Sequence, residues 1–271
     1  MASTNRYPTA LTIAGSDSGG CAGIQADLKT FAALGVFGAS VITAITAQNT
    51  VEVRAVEALL PELIRQQLEA VLDDIPVDAV KTGMLPSPEV IEVVADAIDR
   101  YSLKNVAVDP VMVATSGARL ASSAVVGAFR HNLYRRVSLI TPNVPEAEAL
   151  SGKSIRTEKD FREAAEILLK QGCPAVLIKG GHLSSDCSVD VLFRQDREPV
   201  SFSSPRVNTA NLHGSGCTFS SAIAAQLALG QELEAAVRAA KACIAAAIEA
   251  GSKMRLGKGY GPVNHAKMAA R

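Results

Sequence analysis

Short β-branched apolar runs alternate with longer Ala- and Leu-rich segments along most of this chain, and that rhythm constrains its fold most. Strands are predicted over 10–14, 39–45, 79–82, 106–108, 138–141 and 175–179. Several are apolar throughout, as expected of strands buried on both faces of a parallel sheet. Between them, helices are predicted over 23–34, 61–72, 88–100, 122–130, 145–150 and 158–171. Ile64, Leu68, Val71 and Leu72 form one apolar helical stripe, and Phe161, Ala164, Ala165 and Leu168 form another. Pro61, Pro88 and Pro145 stand where a first helical turn accepts proline, and Ser87 is an N-cap candidate.

After Lys179 the rhythm changes. Residues 190–194 and 200–203 read as antiparallel strands at the sheet edge, and Ala-rich helices follow over 217–229 and 232–250. No linker, low-complexity tract or repeat interrupts the pattern. Residues 1–271 are therefore expected to form one α/β domain, with a mostly parallel, doubly wound sheet and helices on both faces.

Composition narrows the function classes. Hydrophobic residues make up 48% and charged residues 20%, enough for a packed core. Lys and Arg together number 27, as do Asp and Glu, so the basic surplus of a nucleic-acid binder is missing. The five cysteines are scattered without a Cys-x-x-Cys pair, which argues against a disulfide framework or a structural zinc site. Neither an apolar signal core nor a membrane-length apolar run is present, so a cytoplasmic protein without membrane partners is expected.

In open parallel sheets, ligands collect where strands run into helices. The first such exit, Gly15-Ser16-Asp17-Ser18-Gly19-Gly20-Cys21-Ala22-Gly23, leads into a helix carrying Asp27. It is either a flexible turn or a place where backbone closely approaches a ligand. It contains neither a Walker-type loop nor Gly-x-Gly-x-x-Gly. At the second exit, the adjacent amides Gln48 and Asn49 fit turn chemistry or a heterocycle bearing both donors and acceptors. Met84, Val111 and Met112 are core filler or the walls of a flat-ring pocket, while Asp109 either caps a turn or influences a metal or phosphate site. Asn143 and Glu146 have the spacing of a helix cap and equally offer oxygens to hydrated magnesium.

The most specific local signal is His213-Gly214-Ser215-Gly216-Cys217 running directly into an apolar helix. Consecutive amides at that helix start form an anion hole aided by the helix dipole. Cys217 stands where a thiol pKa is commonly lowered, so it reads as a proton acceptor or as a buried structural cysteine. His213 reads as a loop residue bonding backbone.

Together these segments resemble the hydroxymethylpyrimidine/phosphomethylpyrimidine kinases of thiamine biosynthesis, within the ribokinase-like superfamily. The resemblance spans residues 11–265. Its most specific pieces are Ala22-Gly23-Ile24-Gln25-Ala26-Asp27-Leu28-Lys29-Thr30-Phe31, Ala47-Gln48-Asn49-Thr50 and Lys81-Thr82-Gly83-Met84-Leu85, joined by Asp109-Pro110-Val111-Met112, Thr141-Pro142-Asn143, Lys179-Gly180-Gly181-His182, His213-Gly214-Ser215-Gly216-Cys217 and the tail Gly257-Lys258-Gly259-Tyr260-Gly261-Pro262.

The resemblance implies two ATP-dependent phosphorylations at one site. The first acts on the hydroxymethyl group of 4-amino-5-hydroxymethyl-2-methylpyrimidine, and the second extends the monophosphate to a diphosphate. It implies that Gln48 bonds the pyrimidine, with Gly15, Asp27, Met84 and Val111 around the ring. Gly214, Ser215, Gly216 and Cys217 match the anion hole, with Cys217 as base. Asn143, Lys179 and Glu146 match the nucleotide side, and Glu146 and Asp109 the Mg²⁺ side. A homodimer is also implied. The chain departs from the family pattern at Cys21, where relatives commonly have glycine, which adds a second thiol near the site. The nearest rival is pyridoxal kinase, and a rival of a different class is a non-catalytic pyrimidine sensor.

Overall fold

The computed structural model describes residues 6–112, 123–181 and 186–268. Ser122, where a helix was expected to begin, and His182 of the Lys179-Gly180-Gly181-His182 motif lie outside the described residues.

Among the described residues, nine strands form one sheet: β1 (Thr9–Asp17), β2 (Phe37–Gln48), β3 (Val53–Ala58), β4 (Ala79–Thr82), β5 (Val106–Val108), β6 (Leu139–Ile140), β7 (Ala175–Lys179), β8 (Cys187–Arg194) and β9 (Val200–Pro205). Their order is β3-β2-β1-β4-β5-β6-β7-β8-β9. The strands from β2 through β7 are parallel, whereas β3 pairs antiparallel at one edge and β8 and β9 do so at the other. The antiparallel pair after Lys179 was expected; β3 was not. Its side chains are mostly exposed and mix charged with apolar residues, so it carries no burial period.

The helices are α1 (Gly23–Ala33), α2 (Pro61–Leu72), α3 (Pro88–Arg100), α4 (Ser123–Ala128), α5 (Val144–Ser151), α6 (Asp160–Lys170), α7 (Ser215–Ala228) and α8 (Leu233–Gly251). Alternate side chains of the central strands feed two cores. Leu11, Ile13, Val176 and Ile178 pack with α2, α3 and α6 through Ile64, Ile91 and Phe161. Ala10, Ala175 and Leu177 pack on the other face with α1, α7 and α8 through Phe31, Phe219 and Val237. Ser87 caps α3 as expected, accepting the Val90 amide at 3.3 Å. The helix expected over 122–130 is shorter, because α4 passes into a π-helical turn over Phe129–Leu133.

Candidate active site

Six parallel strands deliver their carboxyl ends to one edge, and a cavity of about 1200 Å³ opens there. Gly15, Gln48, Met84, Asp109 and Val111 line it, as do Asn143, Glu146, Lys179 and the 214–217 turn. Segments far apart in sequence thus converge because most follow parallel strands of the same sheet, while the 214–217 turn arrives at the start of α7.

At one end, a register shift between Ala14 and Ser16 slips β1 against β2, and the pairing then continues through Ser16–Ile45 and Asp17–Thr46. Asp17 then closes the following turn. Its Oδ1 accepts the Gly19 amide at 2.8 Å, and its Oδ2 accepts the amides of Cys21 and Ala22 at 3.0 and 2.8 Å. The start of α1 has no side-chain cap of its own. Burial pushes the Asp17 carboxyl up, but bonds from His213, Ala22 and Gly19 outweigh it and hold the pKa below the ordinary value.

Gln48, the last residue of β2, meets His213 across the cavity wall, with Nε2 atoms 3.0 Å apart. His213 Nε2 also lies 3.4 Å from Asp17 Oδ2. With the imidazole proton on Nδ1, Gln48 donates to Nε2, and its carbonyl, which accepts the Thr46 hydroxyl at 3.4 Å, keeps a second lone pair available. With the proton on Nε2, the ring donates to Asp17, and the amide must turn its oxygen to the ring. Imidazole tautomer and amide orientation are therefore one coupled variable. His213 is buried, and its side chain faces the site, which corrects its reading as a loop residue bonding backbone.

Asp27 requires a second correction. It does not line the cavity and is 0% exposed. Lys81 Nζ donates to both of its oxygens at 3.0 and 2.9 Å, and the hydroxyls of Thr12 and Ser221 complete its shell. Position 27 is on the inner face of α1, so its carboxylate points into the α7 side of the core rather than toward a ring. Lys81 itself reaches the cavity. Burial opposes its charge, but Asp27 overrides burial and keeps the ammonium protonated. The available signal was a lysine inside an otherwise apolar strand, which demands a buried partner.

The 214–217 turn opens α7. Gly214 has φ +77°, and no side chain caps the helix. The Ser215 amide turns back to Leu212 O at 3.1 Å, which leaves Gly216 and Cys217 as the open donors of the first turn. The helix thus begins two residues before the expected Cys217. The thiol expectation is also reversed: its pKa is pushed up to about 11. Burial is the largest cause. Lys81 opposes it, the carboxylates of Asp27 and Asp109 add to it, and the Gly23 amide opposes it again. The helix start does not outweigh this surrounding field.

On the nucleotide side, Lys179 Nζ donates to Asp109 Oδ1 at 2.6 Å, while the Ser220 hydroxyl donates to Oδ2 at 3.2 Å. Asn143 and Glu146 form a reciprocal capping box: Asn143 Oδ1 accepts the Glu146 amide at 3.0 Å, and Glu146 Oε2 accepts the Asn143 amide at 2.8 Å. The two residues cap α5 and line the cavity at once. Burial pushes Glu146 up to about 7, with Lys179 opposing and Asp109 reinforcing. A buried carboxyl driven up beside a second carboxylate fits a divalent cation with hard oxygen preference, held directly or through water.

The sequence profile of the phosphomethylpyrimidine kinase family matches residues 17–264. The chain is 47% identical over 257 residues to the hydroxymethylpyrimidine/phosphomethylpyrimidine kinase of Salmonella typhimurium, covering 94% of this chain and 96% of that one. It is 51% identical over 255 residues to the thiamine biosynthesis bifunctional protein ThiED of Geobacter sulfurreducens, covering 94% of this chain but only 51% of that relative, about half its length. In structure it resembles an ADP complex of Bacillus subtilis pyridoxal kinase, with a TM-score of 0.89 and 40% identity, covering 97% of this chain and 99% of the other. With its profile match and its near full-length relatives, this chain belongs to the phosphomethylpyrimidine kinase family.

Proposed function

We propose that this chain transfers the γ-phosphoryl group of ATP to the hydroxymethyl oxygen of 4-amino-5-hydroxymethyl-2-methylpyrimidine, and then a second one to the monophosphate. The observation that carries this reading is the single cavity. It joins Gln48, an amide suited to an aminopyrimidine edge, to the open amides of Gly216 and Cys217 and the Lys179–Asp109 pair.

In each transfer the hydroxymethyl or monophosphate oxygen bonds to the γ-phosphorus, and the bond to the β-bridging oxygen breaks. Gln48, steadied by His213, pairs with the ring nitrogen and exocyclic amine, while Gly15, Met84 and Val111 pack around the ring. Gly214 supplies the left-handed turn that aims the Gly216 and Cys217 amides at the transferring phosphoryl. Asn143 and Lys179 belong to the nucleotide side, with Lys179 offering positive charge. Asp109 and Glu146 would hold magnesium, which neutralises charge on the β- and γ-oxygens when bound.

A thiol at about 11 is protonated near neutrality. A loose transition state needs little deprotonation of the nucleophile before bond formation. A protonated thiol cannot take up the hydroxymethyl proton, so Cys217 serves as the base only in its minor thiolate form, which the Lys81 ammonium stabilises, and the proton moves late in the transfer.

Turnover measured on the hydroxymethylpyrimidine, its monophosphate and pyridoxal tests this reading. Conversion of the first two to the diphosphate is expected. Efficient pyridoxal phosphorylation without extension of the pyrimidine monophosphate would replace it with the pyridoxal reading. A homodimer is part of the same proposal: Ile45, Val56, Leu60 and Leu63 are exposed apolar side chains around the β2–β3 edge and α2. Sedimentation velocity checks it, and a monomer at micromolar concentration would contradict it.

A further inference from the structure

Three side chains of zinc-binding type converge from two separate turns, and two of them, Asp17 and His213, line the cavity. A carboxylate oxygen of Asp17, the Cys21 Sγ and a ring nitrogen of His213 all lie within 4.8 Å of one another, and all three residues are buried. Asp17 and Cys21 come from the turn between β1 and α1, and His213 from the turn before α7. Tetrahedral zinc holds sulfur at about 2.3 Å and nitrogen or oxygen at about 2.0–2.2 Å, which spaces neighbouring ligand atoms roughly 3.3–3.8 Å apart. The His213 to Asp17 spacing of 3.4 Å already matches. The thiol closes the remainder by a shift on the order of 1 Å.

The surroundings also suit a metal site. The Gly19 amide holds Asp17 Oδ1 as an outer hydrogen bond, while the Cys21 and Ala22 amides on Oδ2 give way as that oxygen takes the metal. Asp17 and His213 line the cavity, which leaves a fourth coordination position open to it. Thiolate and imidazole select softer cations, whereas magnesium prefers the all-oxygen pair Asp109 and Glu146.

We propose that Asp17, Cys21 and His213 form a site for zinc or a similarly soft divalent cation, and that its occupation impedes pyrimidine binding. Coordination takes the Nε2 lone pair of His213, the atom 3.0 Å from Gln48 Nε2, so the metal displaces the contact that orients the amide. The Cys21 thiol gives its proton to solvent as the thiolate binds. The inhibitory consequence rests on the pyrimidine-kinase reading; the metal site does not.

The test titrates the 271-residue chain, freed of metal and nucleotide, with Co²⁺ and then with Zn²⁺. One Co²⁺ per chain is expected, with a thiolate-to-cobalt charge-transfer absorption that Zn²⁺ abolishes by displacement. Cys21→Ala and the volume-preserving Cys21→Ser lose the band and bind Zn²⁺ at least about tenfold more weakly, whereas Cys217→Ala keeps the band. In turnover assays with excess Mg²⁺, Zn²⁺ raises the KM for the pyrimidine in the parent chain and leaves Cys21→Ala unaffected. A folded chain without the band, or a Cys21→Ala chain binding Co²⁺ like the parent, overturns the site. A band with unchanged KM overturns the inhibition. Because the titration contains neither substrate nor ATP, failure of the metal site is distinguishable from failure of the kinase reading.

Discussion

The carbonyl oxygen of Cys21 lies against the α-carbon of Gly214: a Cβ there would sit 1.8 Å from that oxygen, and Gly214 has φ +77°. No L side chain satisfies both conditions. This one contact locks the turn after β1 to the turn before α7. It thereby sets the spacing between the Gln48 end of the cavity and the open amides of α7.

Gly214→Ala is expected to separate these turns. The left-handed backbone alone costs about 1–2 kcal/mol with a Cβ present. Activity should fall further than stability, with kcat/KM down by about 100-fold or more, near 2.7 kcal/mol of transition-state stabilisation. Steady-state kinetics beside urea denaturation measures both, and an alanine variant with parental kcat/KM would refute the locking role.

His213 and Gln48 act as a unit. Each alanine substitution should raise the pyrimidine KM by about tenfold, and the double variant should cost less than the sum, with coupling of about 0.5–3 kcal/mol. A double-mutant cycle on KM provides the check. Strict additivity would mean that the 3.0 Å contact does not orient the amide.

Lys81 and Asp27 are each 0% exposed. Lys81→Met leaves Asp27 with only hydroxyl donors and should cost about 3–5 kcal/mol of stability. Asp27→Leu combined with Lys81→Met should cost less than the two single changes added together. Equilibrium denaturation decides between these outcomes.

With its thiol raised to about 11, Cys217 should resist alkylation near neutrality. Its rate should climb about tenfold per pH unit across the alkaline range without a plateau below pH 10. Peptide mapping after iodoacetamide treatment distinguishes Cys217 from exposed Cys187, which should react first. A plateau near pH 7 would restore the low-pKa thiolate.

Glu146 runs the other way from an ion-paired carboxylate. Its folded pKa is raised from 4.5 to about 7, so between those values the folded chain holds a proton that the unfolded chain has released. Stability of the metal-free chain should therefore fall as pH rises through that window and level off above it. Glu146→Gln preserves the capping geometry and should flatten this dependence while raising the Mg²⁺ needed for turnover. Thermal denaturation across pH, paired with magnesium titration of activity, measures the two effects.

Local chemistry made much of the site legible. Gly214 and Cys217 were found because a Gly-Ser-Gly turn before an apolar helix is a local pattern, and Asn143 and Glu146 because a capping box is a three-residue spacing. Gln48 stands just past a predicted strand and Lys179 at the end of one, but their roles came only with the family resemblance. β3 was missed because an exposed edge strand has no burial period to read.

The sequence by itself determined most of the strands and helices, the exposed edge strand β3 excepted, and which residue types stand at the strand exits, because periodicity and turn chemistry act over a few residues. Only the tertiary structure decided what those residues face. It turned Asp27 inward to Lys81, brought His213 to Gln48 and Asp17, and set Cys217 among buried carboxylates. The physical reason is that desolvation and Coulomb interactions act through space, between segments whose proximity no local spacing encodes. The turn that begins at Gly214 was visible in the chain; the elevated pKa of its thiol was not.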